Sequence, residues 1–405
     1  MVPKGWKRVP IKDVCESIID CVNKTAPVVD YETPFKMIRT TNVRNGRVNT
    51  EDVRYVTEDT YLQWVRRGKP QVGDIIFTRE APVGEAGVLQ DAEGIFLGQR
   101  TMMYRADTCL SDNYFLFYSL SSPFCQKQIE DFSNGGTVAH MRVPDCGEIL
   151  INLPPFLEQK KIAQILSTWD KAISVTEKLL ANSQQQKKAL MQQLLTGKKR
   201  LLDENGVRFS GKWIWLRAAE LFKTISQKNN SEDEELLAVT QDLGVIPRSM
   251  LERRVVMPDG STKGYKLVVS GNFIISLRSF QGGLEYSRYR GLVSPAYTVL
   301  TPIKKIVDEF YMQYYKSYDF IGHLAVAVIG IRDGKQISYE DFSFLKLPYP
   351  EIEEQQKIAT VLSAADDEIA TLEKKLACLR DEKKALMQQL LTGKRRVKVD
   401  EAVAE

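Results

Sequence analysis

Two long stretches of this chain place apolar residues at alternating spacings of four and three. In the second stretch Ile358, Leu362, Ala365, Ile369, Leu372, Leu376, Leu379, Lys383, Leu386 and Leu390 keep the alternation without a break. The first stretch repeats the register with a more polar middle, through Ile162, Leu166, Trp169, Ile173, Thr176, Leu180, Ser183, Lys187, Leu190 and Leu194. A mean spacing of 3.5 keeps one seam turned toward a partner helix, so each stretch predicts a long coiled-coil helix. Prolines mark where each helix begins (Pro154, Pro155 and Pro348, Pro350), and Gly197 and Gly393 mark where each ends. The basic "KKR" and "KRR" that follow the glycines suit the negative end of a helix. At ~1.5 Å per residue, ~38 residues give a helix of ~57 Å.

The two stretches are copies. Residues 158–198 and 354–394 agree at 25 of 41 positions, and "KKALMQQLLTGK" occurs unchanged at Lys187–Lys198 and Lys383–Lys394. The segments before them are duplicated more faintly. "GWKRVPIKDV" matches "KWIWLRAAEL" with Trp6 over Trp213, and the strand-like runs "VGDIIFTREAPVGEAGV" and "SGNFIISLRSFQGGLEY" each open into a glycine-containing turn. Each block then holds a candidate helix, Asp112–Phe132 and Ile303–Phe320, and ends in a short strand before the prolines. The chain thus reads as α+β: two mixed β/α domains separated by two long helices that form an antiparallel coiled coil, with pseudo-twofold internal duplication. Antiparallel packing buries both seams against each other and sets one domain at each end of a rod. The expected boundaries are 1–152 and 199–350 for the domains, 153–198 and 351–396 for the spacer helices, and 397–405 for a tail.

Composition narrows the class. Hydrophobic residues make up 43% and charged residues 27% of 405, values typical of folded soluble domains. No apolar run reaches the roughly 18–20 residues of a membrane span, and "MVPKGWKRVP" has no apolar leader core, so a cytoplasmic protein is expected. Six scattered cysteines without C-x-x-C spacing and only two histidines, His140 and His323, argue against a disulfide framework and a zinc site. The chain has no P-loop signature. "NLPPF" at Asn152–Phe156 departs by one inserted leucine from the element that holds an amine in amino-methyltransferases, and no methyl-donor turn accompanies it. Neither histidine has a nucleophile or metal cluster beside it in sequence. No catalytic residue and no metal site is therefore expected in this chain.

The polar loops carry the remaining information. In the first block Arg39, Thr40, Thr41, Asn42, Arg44, Arg79, Gln99, Arg100, Asn134, Thr137 and Arg142 are candidates for DNA contact. In the second they are Thr240, Gln241, Arg248, Arg278, Ser279, Gln281, Tyr286, Arg288, Arg290 and Arg332. Arginine forks pair with guanine, Asn and Gln with adenine, and glycine lets the backbone approach closely. The net charge of +4 is modest, so any basic surface is local. Two similar readers separated by a spacer imply a target in two parts with a fixed gap. The helical interface is expected to use Ile162, Leu166, Trp169, Ile173, Leu190, Leu194, Ile358, Leu362, Ile369, Leu376, Leu386 and Leu390, with Lys187 and Lys383 forming a polar edge suited to docking.

Over essentially its whole length the chain resembles the specificity subunit of type I restriction-modification systems. The resemblance rests on "LPPFLEQKKIAQILS" with "LPYPEIEEQQKIATVLS", on the paired "QQLLTGK" helix ends, and on "GDIIFTR" with "GNFIISLRSFQGG". It implies a prokaryotic, non-catalytic subunit with two target recognition domains, each reading half of a split sequence in double-stranded DNA. It also implies docking of two modification subunits that methylate adenine, and restriction subunits that translocate and cleave. S-adenosylmethionine, ATP and Mg are then expected on those partners, with no cofactor on this chain. A competing expectation, from the helices alone, is a coiled-coil scaffold whose end domains bind proteins rather than DNA.

Overall fold

The computed structural model describes residues 2–134, 139–231, 233–251, 262–327 and 337–399. They divide into two compact units, Met1–Glu177 with Lys375–Glu405, and Lys178–Lys374. The division runs through both long helices, Phe156–Leu194 and Ile352–Leu390, so each unit takes the first half of one and the second half of the other.

The units share a strand pair and the order of a four-stranded sheet and differ in their smaller sheets. In the first, strand Lys7–Pro10 pairs antiparallel with Leu150–Leu153. A four-stranded sheet follows in the order Cys15–Asp20, Thr101–Ala106, Ile75–Arg79, Val83–Val88. The second unit repeats this arrangement: Ile214–Arg217 pairs with Lys346–Tyr349, and the sheet runs Phe222–Ile225, Thr298–Pro302, Phe273–Ile275, Glu285–Tyr286. The expected strands at Val72–Val88 and Ser270–Tyr286 are hairpins of these sheets. The single helix expected over Asp112–Phe132 is two, Asn113–Leu120 and Pro123–Ser133. Ser122 accepts a hydrogen bond from the Cys125 amide, and Pro123 sits in the first turn, where it loses no bond. The second block breaks at the corresponding place, where Ser317 Oγ accepts from the Phe320 amide between helices Asp308–Tyr314 and Tyr318–Ala327.

Each core combines sheet, short helices and both long helices. In the first unit Ile162 and Leu166 join Leu390 and Leu391 beneath Phe77, Tyr104, Phe115 and Tyr118. In the second, Leu194 and Leu195 join Ile358 and Leu362 beneath Phe222, Phe273, Tyr311 and Tyr315. The helix starts thus belong to the globular cores and not to a free zipper. Toward the middle the seam thins: Ile173 and Leu376 are buried, while Trp169, Leu190, Ile369 and Leu386 are partly exposed. Within each unit the helices run antiparallel. Asp170 meets Lys383 at 2.6 Å while Glu177 meets Arg380 at 2.9 Å, and in the second unit Lys187 pairs with Asp366 while Ser183 donates to Glu368. Lys187 and Lys383 therefore pair across the seam with aspartates that are themselves 43% and 40% exposed. Tyr118 donates to the same Asp170 (2.5 Å), and Gln313 to the same Asp366 (2.6 Å).

The repeated motifs meet at a buried carboxylate in each unit. Glu158, 3% exposed in the first turn of its helix, accepts from the Trp6 indole at 3.1 Å and from Arg396 through Nε (2.7 Å) and Nη2 (2.8 Å). Glu354, fully buried, accepts from Trp213 at 2.9 Å and from Arg200 at 2.6 and 2.7 Å. Each arginine lies three residues past the glycine that ends the other long helix. That glycine has positive φ (+70° at Gly197, +68° at Gly393), and a Cβ there would press on the Trp213 ring or on Pro3. The neighbouring glutamine is also buried. Gln159 accepts from the Asp112 amide and donates to the carbonyls of Leu110 and Pro154, while Gln355 accepts from Val307 and donates to Pro350. The "EQ" and "LLTGK" motifs are thus two sides of one joint.

Removing one partner of a buried, hydrogen-bonded pair leaves an uncompensated charge, at a cost of about 3–5 kcal/mol. Arg200→Ala should accordingly loosen the second unit by roughly 3 kcal/mol. Arg396→Ala should loosen the first unit by less, because the Arg396 side chain is 45% exposed. Native-state hydrogen exchange on the strands Ile214–Arg217 and Lys7–Pro10 reads the two effects separately.

Candidate nucleic-acid interface

In the first unit the antiparallel order brings Asp20, Thr78 and Thr101 to one end of the sheet, because Asp20 faces Met102 and Thr78 faces Thr101. Arg79 leaves that end but turns inward. It is 7% exposed, pairs with Asp20 at 3.0 Å and donates to the Met141 carbonyl at 3.2 Å. Its backbone binds Arg100 O and the Met141 amide, which staples the residue 140 segment to the sheet. Around this buried arginine the next shell is open to solvent. Arg100, in the left-handed region at φ 69°, lies 3.2 Å from Glu80, and His140 Nδ1 lies 3.5 Å from the same carboxylate. Gln99 accepts from Thr25 at 3.3 Å.

The loop at Arg39–Arg44 joins this end because strand Lys36–Ile38 runs parallel to Ile95–Leu97 and the Gly98 amide binds Ile38 O at 2.8 Å. Only part of the loop faces outward. Thr40 and Asn42 are buried, and Asn42 donates to Asn49 O and Asp52 O while it accepts from the Arg39 amide. Arg44 reaches back to the carbonyls of Thr40 and Val43. Thr41 is exposed; Arg39 is half-buried, and its Nε has no hydrogen-bond partner among the described residues. Asn134 is exposed at the end of its helix, and Arg142 forms a bidentate pair with Asp145. Thr137 lies outside the described residues.

In the second unit the matching sheet end opens into a cleft of about 920 Å³. Thr240, Gln241 and Leu243 line it from the tip of the hairpin Leu237–Thr240/Gly244–Pro247, and Ser276, Leu277 and Arg278 line it from the end of strand Phe273–Ile275. Thr240 Oγ1 fixes the tip by accepting from the Leu243 amide and donating to Gly244 O. Ser279 is 1% exposed and accepts from the Ser276 amide at 2.8 Å, so it shapes the turn from inside. Gln241, Arg278 and Gln281 are exposed. Exposed Leu243, Met250 and Leu277 give the cleft an apolar rim.

The remaining candidates sit elsewhere. Arg288 lies over the Tyr286 ring at 5.5 Å, and Tyr286 donates to Asp308 at 3.1 Å, with burial raising its phenol to about 12. Arg290 is held by Glu234 at 2.7 Å, and Arg248 donates to Leu237 O. Arg332 lies outside the described residues. Local sequence makes His140 a structural or contact residue; its place beside Arg100 comes only from the bridge between Glu80 and His140, which no local motif signals. Among the described residues no group of His, Cys, Asp and Glu could hold a metal ion, and no helix is long and apolar enough to cross a membrane.

The duplicated architecture has relatives. The model of the type I restriction modification DNA specificity domain matches this chain twice, over residues 3–182 and 199–379. The chain belongs to the type I restriction modification DNA specificity family. Among its relatives in that family, a putative type I restriction enzyme MjaX specificity subunit of Methanocaldococcus jannaschii is 26% identical, over 98% of this chain and 95% of its own length. The MjaVIII specificity subunit of the same organism is 25% identical over 98% and 94%. The fold is similar to the crystal structure of the S subunit of a type I restriction-modification system from M. genitalium, with TM-score 0.61 at 15% identity over 96% of this chain and 99% of that one. A second structure, from work on complex assembly and conformational transition of the type I restriction-modification system, gives TM-score 0.54 at 17% identity over 98% and 100%.

Within this family member, the loop arginines at the sheet ends of the two units should differ sharply in stability cost. Arg79→Ala removes the nearer of two cations beside the partly buried Asp20, which keeps Arg67 at 3.8 Å, and should destabilise the first unit by about 2 kcal/mol, whereas exposed Arg278→Ala should stay within about 0.5 kcal/mol. Urea unfolding of the two variants checks the contrast.

Proposed function

We propose that each unit reads one half of a split sequence in double-stranded DNA through the loops at the corresponding end of its four-stranded sheet. The chain is a specificity subunit of a type I restriction-modification system and not itself an enzyme; methyl transfer belongs to its partners. The observation that supports the reading is that Gln99 and Arg100 lead into strand Thr101–Ala106 where it meets Thr78, while Arg278 follows strand Phe273–Ile275 of the equivalent sheet and lines one cleft with Gln241. Amide and guanidinium groups on exposed turns are the side chains that pair bidentately with adenine and guanine edges. Exposed Thr41, Asn134 and Gln281 extend these surfaces, while Asn42, Arg79 and Ser279 hold the loops in shape.

In this reading 1–152 and 199–350 are the recognition domains, 153–198 and 351–396 the spacer helices, and 397–405 a tail. Two modification subunits dock on the two copies of the helical repeat, because a duplicated surface offers the same contacts twice. Restriction subunits complete the assembly, and S-adenosylmethionine, ATP and Mg are used on those partners. The complex acts on adenine in host DNA in the prokaryotic cytoplasm. A scaffold that binds only proteins is disfavoured by the family match over both halves of the chain.

Selection of bound duplexes from a random pool by the assembled complex, at stated salt, tests the reading: a two-part motif with a fixed gap is expected, and no sequence enrichment would sink it. Arg278→Ala should weaken one half of that motif by roughly tenfold and relax its sequence preference there, with the salt slope of binding nearly unchanged. Inserting four residues into each spacer helix should lengthen the gap and leave both halves unchanged. If the halves themselves change, the helices are not the ruler.

A further inference from the structure

Helices Asp308–Tyr314 and Tyr318–Ala327 meet at a three-residue junction whose middle residue is Lys316. Its ammonium donates to Gln241 O at 3.2 Å, to Gly282 O at 3.0 Å and to the carboxylate of Glu285. An ammonium has three hydrogens and no acceptor, so these three partners use all of it. They come from three separate places: the hairpin tip that carries Gln241, the turn that follows Arg278, and the edge strand of the sheet.

The surroundings fit a fixed joint. Glu285 is 2% exposed, and burial raises its carboxyl to about 7 against the opposing pull of Lys316. A pair that buries one partner while the other, Lys316, stays 30% exposed is a poor source of net stability, and its contacts act on geometry. The turn is pressed onto the junction, since a Cβ on Gly283, at φ 76°, would lie 1.7 Å from Tyr315 O. A Cβ on Gly282 would lie 2.7 Å from Gln241 Nε2, and that amide donates to Arg278 O at 3.5 Å. Lys316 thus holds the backbone of both reading segments from behind while the side chains of Gln241 and Arg278 stay exposed. The first unit is built differently: at the matching junction Ser121 bonds back to Phe117 O and Ser119 O, and it is Gln126 of the next helix that donates to Gly84 O in the sheet's hairpin turn.

We infer that Lys316 is a positioning residue for sequence recognition by the second unit, clamping the Gln241 hairpin and the Arg278 turn at one fixed separation. The inference rests on the reading of this cleft as a DNA interface. Its test uses the assembled complex and a random duplex pool, comparing the wild type with Lys316→Met and Lys316→Arg. The half-site belonging to the second unit is identified by exchanging residues 199–350 for those of another family member. Lys316→Met should lose about tenfold of its discrimination at that half-site, with the other half within about twofold of wild type, and Lys316→Arg should restore most of it. Hydrogen exchange should rise in Lys316→Met at residues 240–243 and 279–283 and stay unchanged in the strands of the second unit.

Undiminished discrimination at both halves in Lys316→Met, or equal loss at both, overturns the inference while the split-site reading stands. If Lys316→Met unfolds the second unit, Lys316→Arg decides: wild-type discrimination supports the clamp, and a loss without faster loop exchange overturns it. A wild-type complex that selects no split motif overturns both readings.

Discussion

A buried carboxylate at the start of each long helix organises the architecture around it. Glu158 and Glu354 lie where a charged group without partners would cost several kcal/mol, so each must be met by a cation and by indole hydrogen bonding. The cation comes from beyond the end of the other long helix, and the tryptophan from the residue just before the first strand of the domain in front. Each compact unit is therefore completed by chain that lies far away in sequence, with Arg396 reaching a glutamate 238 residues earlier. This arrangement explains why the helix ends are the best-preserved part of the internal repeat: the glycine, the turn after it and the arginine must all be present for the pair to close.

The same joint separates what the two units share from what they do not. Their sheets, helix starts and buried Glu–Gln pairs follow one pattern, and Tyr118 and Gln313 even meet equivalent aspartates with different chemistry. At the sheet ends the units diverge. The first surrounds a partly buried Arg79–Asp20 pair with Arg100 and His140 sharing Glu80; the second opens a cleft rimmed by leucines and held from behind by Lys316. A constant frame with variable loops is what a reader of two different half-sites requires, because loop side chains can change while the buried joint keeps its partners.

Much of the candidate interface was legible as a region and little of it as individual residues. Loop arginines look alike in sequence, yet Arg79 is enclosed and Arg278 is open, and the difference is Asp20, which the sheet places opposite the first and which has no counterpart at the second. Asn42 and Ser279 likewise read as potential base contacts because their side chains suit that chemistry, but they satisfy backbone groups inside their own turns. Lys316 gave no signal, since a lysine between two aromatic-rich helices is ordinarily a solvated charge.

Local spacing and identity between the two copies were enough to establish the duplication, the helical period, the points where the long helices start and stop, and the family. Which polar residues are structural emerged only from the folded chain. There the helix starts lie inside the globular cores, Lys187 and Lys383 are matched by Asp366 and Asp170, and Arg200 and Arg396 serve the opposite helix. The physical reason is that burial and ion pairing belong to neighbours in space, and here those neighbours stand between about 150 and 240 residues apart along the chain.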